Sequence, residues 1–179
     1  MHSGGRSGPG CGKDAGKERP LHESFELDRL DLRLLAALQA DARLTNQQLG
    51  ERIGLSASQC SRRRAALEAA GLIRGDRAGL DAAALGLHVQ AFIQVTLKAH
   101  SGDNARRFRD LLARVDAIQE AYAPTGDTDY LLKAIVPDLA GLSRLVNEEL
   151  LAHESVARLR SSIVIDRLKD RSRLPLPPG

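Results

Sequence analysis

Two short stretches of the chain hold the side chains with the most chemistry to offer. The first runs Ser56-Ala57-Ser58-Gln59-Cys60-Ser61-Arg62-Arg63-Arg64 and sets three guanidinium groups behind hydroxyl and amide side chains. Arg can bond guanine through two hydrogen bonds, Gln can do the same with adenine, and any Arg can meet a phosphate. The second runs Thr125-Gly126-Asp127-Thr128-Asp129-Tyr130 and places two carboxylates beside a glycine. An Asp there can accept a charge-assisted bond from an ammonium, and a Gly-containing turn can present backbone N–H groups to a carboxylate. Asp127 and Asp129 could instead be paired catalytic acids or metal ligands, but no His or third acid stands near them. Capping of the turn by Asp127 is the alternative with real weight.

The charge distribution favours a polyanionic partner for the first stretch. From Arg43 to Leu80 seven Arg face three acids (Glu51, Glu68, Asp76), a local +4 against +3 for the whole chain. Such a concentration is the footprint expected of a double-stranded DNA backbone contact. No Trp, three Phe and two Tyr leave little from which to build a stacking platform for single strands. Cys11 and Cys60 have neither metal-site nor disulfide-framework spacing, so a reduced, cytoplasmic protein is expected, with no metal and no cofactor. No apolar run approaches the length of a membrane span, so no membrane partner is expected. His88, His100 and His153 stand isolated.

The elements that must position these residues can be read from caps and periodicity. Residues 1–24 carry six glycines and scattered charge, a composition expected to be disordered. Asp28 N-caps a first helix, with Asp31 three residues on and Leu30, Leu34, Leu35 and Leu38 at helical spacing. Thr45 and Gln48 make a capping box for a second helix, which Gly54 ends. Ser56 and Gln59 make another, eleven residues later, for a third helix closed by Gly71. Gly50 is expected where two helices cross closely. Segments 72–75 and 77–80 are expected to be the short strands of a wing. This is a helix-turn-helix over 27–80, whose third helix offers its N-terminal half to a major groove. Asn46, Gln47, Ser56, Ser58, Gln59, Arg62, Arg63 and Arg74 are then the candidate DNA contacts. In a helix of unknown placement, Arg62–Arg64 would read as a solvated charge run; the capping boxes and Gly50 place it.

After a connection at 81–86 the period changes to two. Val89, Ala91, Ile93, Val95 and Leu97 mark a strand, followed by a helix from about Asp103, strands at 118–122 and 129–136, a helix opened by Pro137-Asp138, and a strand over 156–167. The order βαββαβ over 87–168 is ferredoxin-like; an irregular, proline-rich tail occupies 169–179. The fold class is therefore α+β, a winged helix-turn-helix followed by a ferredoxin-like domain. Two helices cover one face of a four-stranded sheet, so the other face is expected to need a second chain.

Residues 27–56 (LDRLDLRLLAALQADARLTNQQLGERIGLS), Cys60, LEAAGLIRG (67–75) and GDTDYLLK (126–133) together resemble the Lrp/AsnC, or feast/famine, transcriptional regulators. The resemblance covers nearly everything outside the two tails. It implies a ligand-sensing (RAM-type) C-terminal domain, a homodimer joined through it and often built into an octamer, and an amino acid or related metabolite as effector. It also places Thr125, Gly126, Asp127, Asp129 and Tyr130 at the effector pocket. Arg64 stands where the family commonly has an aliphatic residue, so its charged head is expected to snorkel outward. Ser61, Arg62 and the Gly75-Asp76 pair also depart from well-known members, so the DNA sequence read is not inherited. Two other functions fit the same scaffold: a siroheme-decarboxylase-like enzyme, which the Arg-rich third helix argues against, and a chromatin-organising protein of low specificity. The expectation is a regulator that catalyses no reaction.

Overall fold

The structure, a computed structural model, describes residues 26–75, 78–99, 101–169 and 173–177. The expected disordered segment 1–24, Cys11 and His100 lie outside these. The chain forms two units, one built from the three N-terminal helices with segment 173–177, the other from the βαββαβ domain and the connection before it.

In the first unit, α1 (Arg29–Ala40), α2 (Asn46–Ile53) and α3 (Ala57–Ala69) each start where the sequence predicts. All three open with a reciprocal capping box: Asp28 with Asp31, Thr45 with Gln48, and Ser56 with Gln59. The core is Leu34, Leu44, Leu49, Ile53, Cys60 and Leu67, contributed by every helix and by the first loop. Gly54 closes α2 in the left-handed region (φ 79°), where glycine carries no Cβ penalty. Gly50 is required by a different neighbour from the one expected. A Cβ there would lie 2.3 Å from the Leu55 carbonyl oxygen, so the turn itself, not a second helix, presses on α2.

The wing strands do not form among the described residues, and Asp76 and Arg77 lie outside them. Beyond Gly71 (φ 69°), the Leu72 and Ile73 amides both bond back to the Leu67 carbonyl, closing α3 in a Schellman-type turn. Amides used in that way cannot enter a strand ladder. Segment 173–177, expected to be merely irregular, is tied to α1. Leu174 donates its N–H to Gln39 Oε1 (2.6 Å), Gln39 Nε2 donates to the Leu174 carbonyl (3.3 Å), and Arg173 donates to the Ala40 carbonyl (3.4 Å). Arg173 thereby supplies a cation to a helix end that has no basic residue in its own last turn.

The second unit is an antiparallel sheet in the order β2-β3-β1-β4, with β1 Val89–Leu97, β2 Ile118–Tyr122, β3 Tyr130–Val136 and β4 Val156–Ile163. One face is covered by α4 (Gly102–Leu112), by α5 (Leu139–Arg144) and by a π-helical segment, Leu145–Leu150, that continues α5. Ala91, Ile93, Val95, Leu132, Ala134 and Val136 point to that side and meet Phe108, Leu111, Leu142, Leu145 and Leu150. The register pairs Phe92 with Lys133 and with Ser162, and Gln94 with Leu131 and with Arg160. These residues therefore line the opposite face, where Phe92 and Tyr122 are exposed.

Two strand ends differ from expectation, each at the margin of its pairing with β1. β4 stops at Ile163 because Ile163 already pairs with Ala91, two residues from the start of β1, leaving Ile165 fully exposed. β3 begins at Tyr130, one residue late, because the Asp129 carboxylate takes over the ladder by accepting the Leu97 N–H (2.7 Å). Leu139 lies exposed in the first turn of α5. No helix among the described residues is long and apolar enough to cross a membrane.

Candidate DNA interface and effector pocket

Helix α3 divides into two faces. Cys60 and Leu67 are fully buried, with Arg63 and Arg64 half-buried between them; Ser58, Gln59, Ser61 and Arg62 are exposed. Residues four apart share a helix face, so Ser58 and Arg62 stand together on the outward side. Arg62 forms no ion pair among the described residues, so its guanidinium is available to DNA. Arg74 and Gln47 are also exposed, and Gln47 leans on Glu51 (3.4 Å).

Other candidates are occupied. Ser56 is the N-cap of α3, and Gln59 spends its amide oxygen on the Ser56 N–H (2.9 Å), which leaves only its amide nitrogen for a base. Asn46, at the start of α2, is half-buried and its Oδ1 is buried without a partner among the described residues. Arg63 does not belong to the exposed face. Its Nη1 lies 2.7 Å from Asp28 Oδ2 and 2.7 Å from Asp31 Oδ1, at the first turn of α1. Those carboxylates, Asp31 first, hold the Arg63 guanidinium above its usual pKa, while the Asp31 N–H and then Arg63 hold the Asp28 carboxyl below its own. As expected, Arg64 carries its charged head out, to Glu68 (2.9 Å). Burial raises the pKa of the Cys60 thiol, which fits a small core residue.

In the second unit the turn residues separate. Gly126 sits at φ 125°, a region that side chains rarely adopt, so this position needs glycine for its backbone and not for space. Asp127 is exposed and makes no hydrogen bond or ion pair among the described residues; the expected alternative, capping of its own turn, is not what it does. It lines a concavity of about 370 Å³ with Gln94, Thr96, Thr128, Arg158 and Arg160. Thr96 pairs directly with Arg158 and Gln94 with Arg160, so the two guanidinium groups come from the outward face of β4. Thr125 is exposed beside this site and is not in its lining. Asp129 pins β3 to β1, and Tyr130 turns to the helical side, its ring centroid 4.9 Å from that of Phe108. The sequence reading missed Arg158 and Arg160. Their signal was present in Arg158, Arg160 and Ser162, a polar alternation opposite Leu159 and Ile163.

A helix-turn-helix with an outward Ser58–Arg62 face, joined to a ferredoxin-like domain with a charged cleft, defines a DNA-binding protein carrying a ligand-sensing module. Known proteins agree. A model of winged helix-turn-helix DNA-binding domains matches residues 27–74, and one of the Lrp/AsnC ligand binding domain matches residues 90–174. The chain is 41% identical over 151 residues to the leucine-responsive regulatory protein of Rhizobium meliloti, covering 84% of this chain and 97% of that one. With the leucine-responsive regulatory protein of Escherichia coli K12 it shares 35% over 158 residues, covering 88% and 94%. Among solved structures, a transcriptional regulator of Neisseria meningitidis in complex with L-Met superposes with a TM-score of 0.81 at 37% identity, covering 84% of this chain and 97% of that one. Escherichia coli AsnC superposes with a TM-score of 0.78 at 25% identity, covering 84% and 100%. The chain belongs to the Lrp/AsnC family of DNA-binding transcriptional regulators.

Proposed function

We propose that this regulator reads DNA through the outward face of α3 and is modulated by an α-amino acid held at the Asp127 cleft. The observation that carries the effector reading is the unpaired Asp127 carboxylate facing Arg158 and Arg160 across a concavity of about 370 Å³. An α-amino acid is a zwitterion: Asp127 can accept from its ammonium while Arg158 or Arg160 donates to its carboxylate. The Neisseria relative solved with L-Met supports an amino acid as the class of ligand.

On DNA, Arg62 and Ser58 take the central positions, with Gln59 contributing its amide nitrogen and Arg74 and Gln47 reaching phosphates from the flanks. Ser56 and Asn46 support the helix starts. The chain acts as a homodimer, because the outward sheet face exposes Phe92 and Tyr122 and presents Leu131 and Ile135 half-buried, with no element among the described residues of its own domain to cover it. The Asp127 cleft lies at the turn end of that face, so a bound ligand would favour one arrangement of subunits over another. Higher assemblies, octamers included, would build on this dimer. The reading includes no catalysis and no cofactor, and an intracellular site of action where duplex DNA is found.

A thermal-shift screen against the free amino acids tests it, since a ligand of the native state must raise apparent stability. At least one amino acid should shift the wild-type melt, and neither Asp127→Ala nor Arg158→Ala should respond to it. No shift with any amino acid, or an undiminished shift in both variants, would remove the cleft from the account.

A further inference from the structure

We infer that Arg63 is a positioning residue: by bridging Asp28 and Asp31 it fixes the angle of α3 against the N-terminus of α1, and it does not itself contact DNA. The inference rests on the DNA-binding role of α3. Arg63 lies in the middle of a run of three Arg, where composition alone would assign it to the phosphate backbone. Its surroundings assign it otherwise.

The Asp28 and Asp31 carboxylates divide their oxygens between two tasks. Asp28 Oδ1 accepts the Asp31 N–H (2.8 Å) and Asp31 Oδ2 accepts the Asp28 N–H (3.2 Å), which closes the capping box of α1. The remaining oxygens, Asp28 Oδ2 and Asp31 Oδ1, both turn to Arg63 Nη1. One nitrogen with two hydrogens thus joins the third helix to the start of the first. The Asp31 side chain is 8% exposed and that of Arg63 27%. Cys60, one turn before Arg63, and Leu67, one turn after, are fully buried, so the bridge lies along the same inward stripe as the core.

With Nη1 held by two carboxylates, one of them buried, Arg63 could swing its head out to a phosphate only by leaving Asp31 as an uncompensated charge. Removing the bridge frees α3 to tilt on its apolar contacts, which are non-directional. The outward residues Ser58 and Arg62 are carried with it. Lys cannot substitute fully, because its Nζ lies one bond closer to Cδ than Arg Nη1 does.

The test uses the full-length chain, a duplex selected by the wild-type protein from a random pool, and sonicated bulk duplex as the nonspecific reference. Binding is measured over a range of salt at a temperature where circular dichroism shows each variant folded. Failure of the wild-type protein to select any duplex would sink the DNA-binding role itself, separately from this inference. Arg63→Ala should lose affinity for the selected duplex several-fold more than for bulk duplex, with an unchanged salt slope; Arg63→Lys should fall between. Asp28→Asn is the decisive variant, because Asn still caps a helix while one charge of the bridge is gone. Positioning predicts that Asp28→Asn also weakens selected binding. If Arg63 contacts phosphate, its alanine variant lowers the salt slope by about one, and Asp28→Asn tightens binding by releasing the Arg. That pair of results would overturn the inference. So would an Arg63→Ala protein that melts lower but, when folded, binds both duplexes like wild type.

Discussion

At the scale of single residues, the three consecutive arginines of α3 do three different things. Arg62 faces outward, Arg63 bridges Asp28 and Asp31, and Arg64 pairs with Glu68. Sequence reading grouped Arg62 and Arg63 because neighbours in a list look equivalent, whereas neighbours on a helix are separated by about a quarter turn. Arg62→Ala should weaken DNA binding with no change in fold. A base contact would cost roughly 1–3 kcal/mol and relax preference at one position; a phosphate contact would lower the salt slope by about one. Unchanged affinity and slope would take α3 out of the groove. Acid should report on the other end of the bridge. The Asp28 carboxyl is held low by the Asp31 N–H and then by Arg63, so its contribution to stability is complete above its unfolded pKa and is lost as pH falls through its folded value. As pH falls below about 4, the melting temperature of Asp28→Asn should therefore fall less than that of wild type. Parallel pH curves would show that the pairing adds nothing in solution.

Among the elements, those with a local chemical signal were legible and those decided by a partner were not. Three capping boxes, Asp28/Asp31, Thr45/Gln48 and Ser56/Gln59, fixed three helix starts because a cap satisfies orphan N–H groups within four residues of chain. The inward strand residues of β1 were equally plain, since alternation needs only the strand itself. What escaped was mostly set at a distance, the end of β4 by the start of β1 and the start of β3 by Asp129 reaching Leu97; the wing strands, absent among the described residues, were lost to a local turn whose amides return to Leu67. The effector side was half legible for the same reason. The 125–130 stretch stood out in sequence, but Arg158 and Arg160 join Asp127 only through the β1–β4 register. Gly50 offers a test at this scale. Gly50→Ala must push its Cβ against the Leu55 carbonyl, 2.3 Å away, and should destabilise the helix-turn-helix by about 1–3 kcal/mol while leaving the second unit's melt in place. A chemical denaturation curve matching wild type would mean that the turn yields freely.

For the whole molecule, the described residues of the second unit leave one sheet face without cover and place the proposed effector cleft at its edge. Two copies meeting through this face would bury Phe92 and Tyr122 and bring two α3 helices into one particle. A two-fold particle suits half-sites about 34–36 Å apart, one turn of duplex. Sedimentation should find no stable monomer at micromolar concentration, and Phe92→Asp should shift the population toward monomer; a monomeric wild type would refute the arrangement. The central claim, that an amino acid at Asp127 controls DNA binding through α3, is tested most directly by fluorescence anisotropy. Wild-type protein and Asp127→Ala are titrated onto a duplex selected by the wild type, with and without the amino acid that shifts its melt. The account predicts equal affinities without the amino acid, a changed affinity for wild type in its presence, and no change for Asp127→Ala. An Asp127→Ala protein that responds as wild type does, at the same amino-acid concentration, would contradict it.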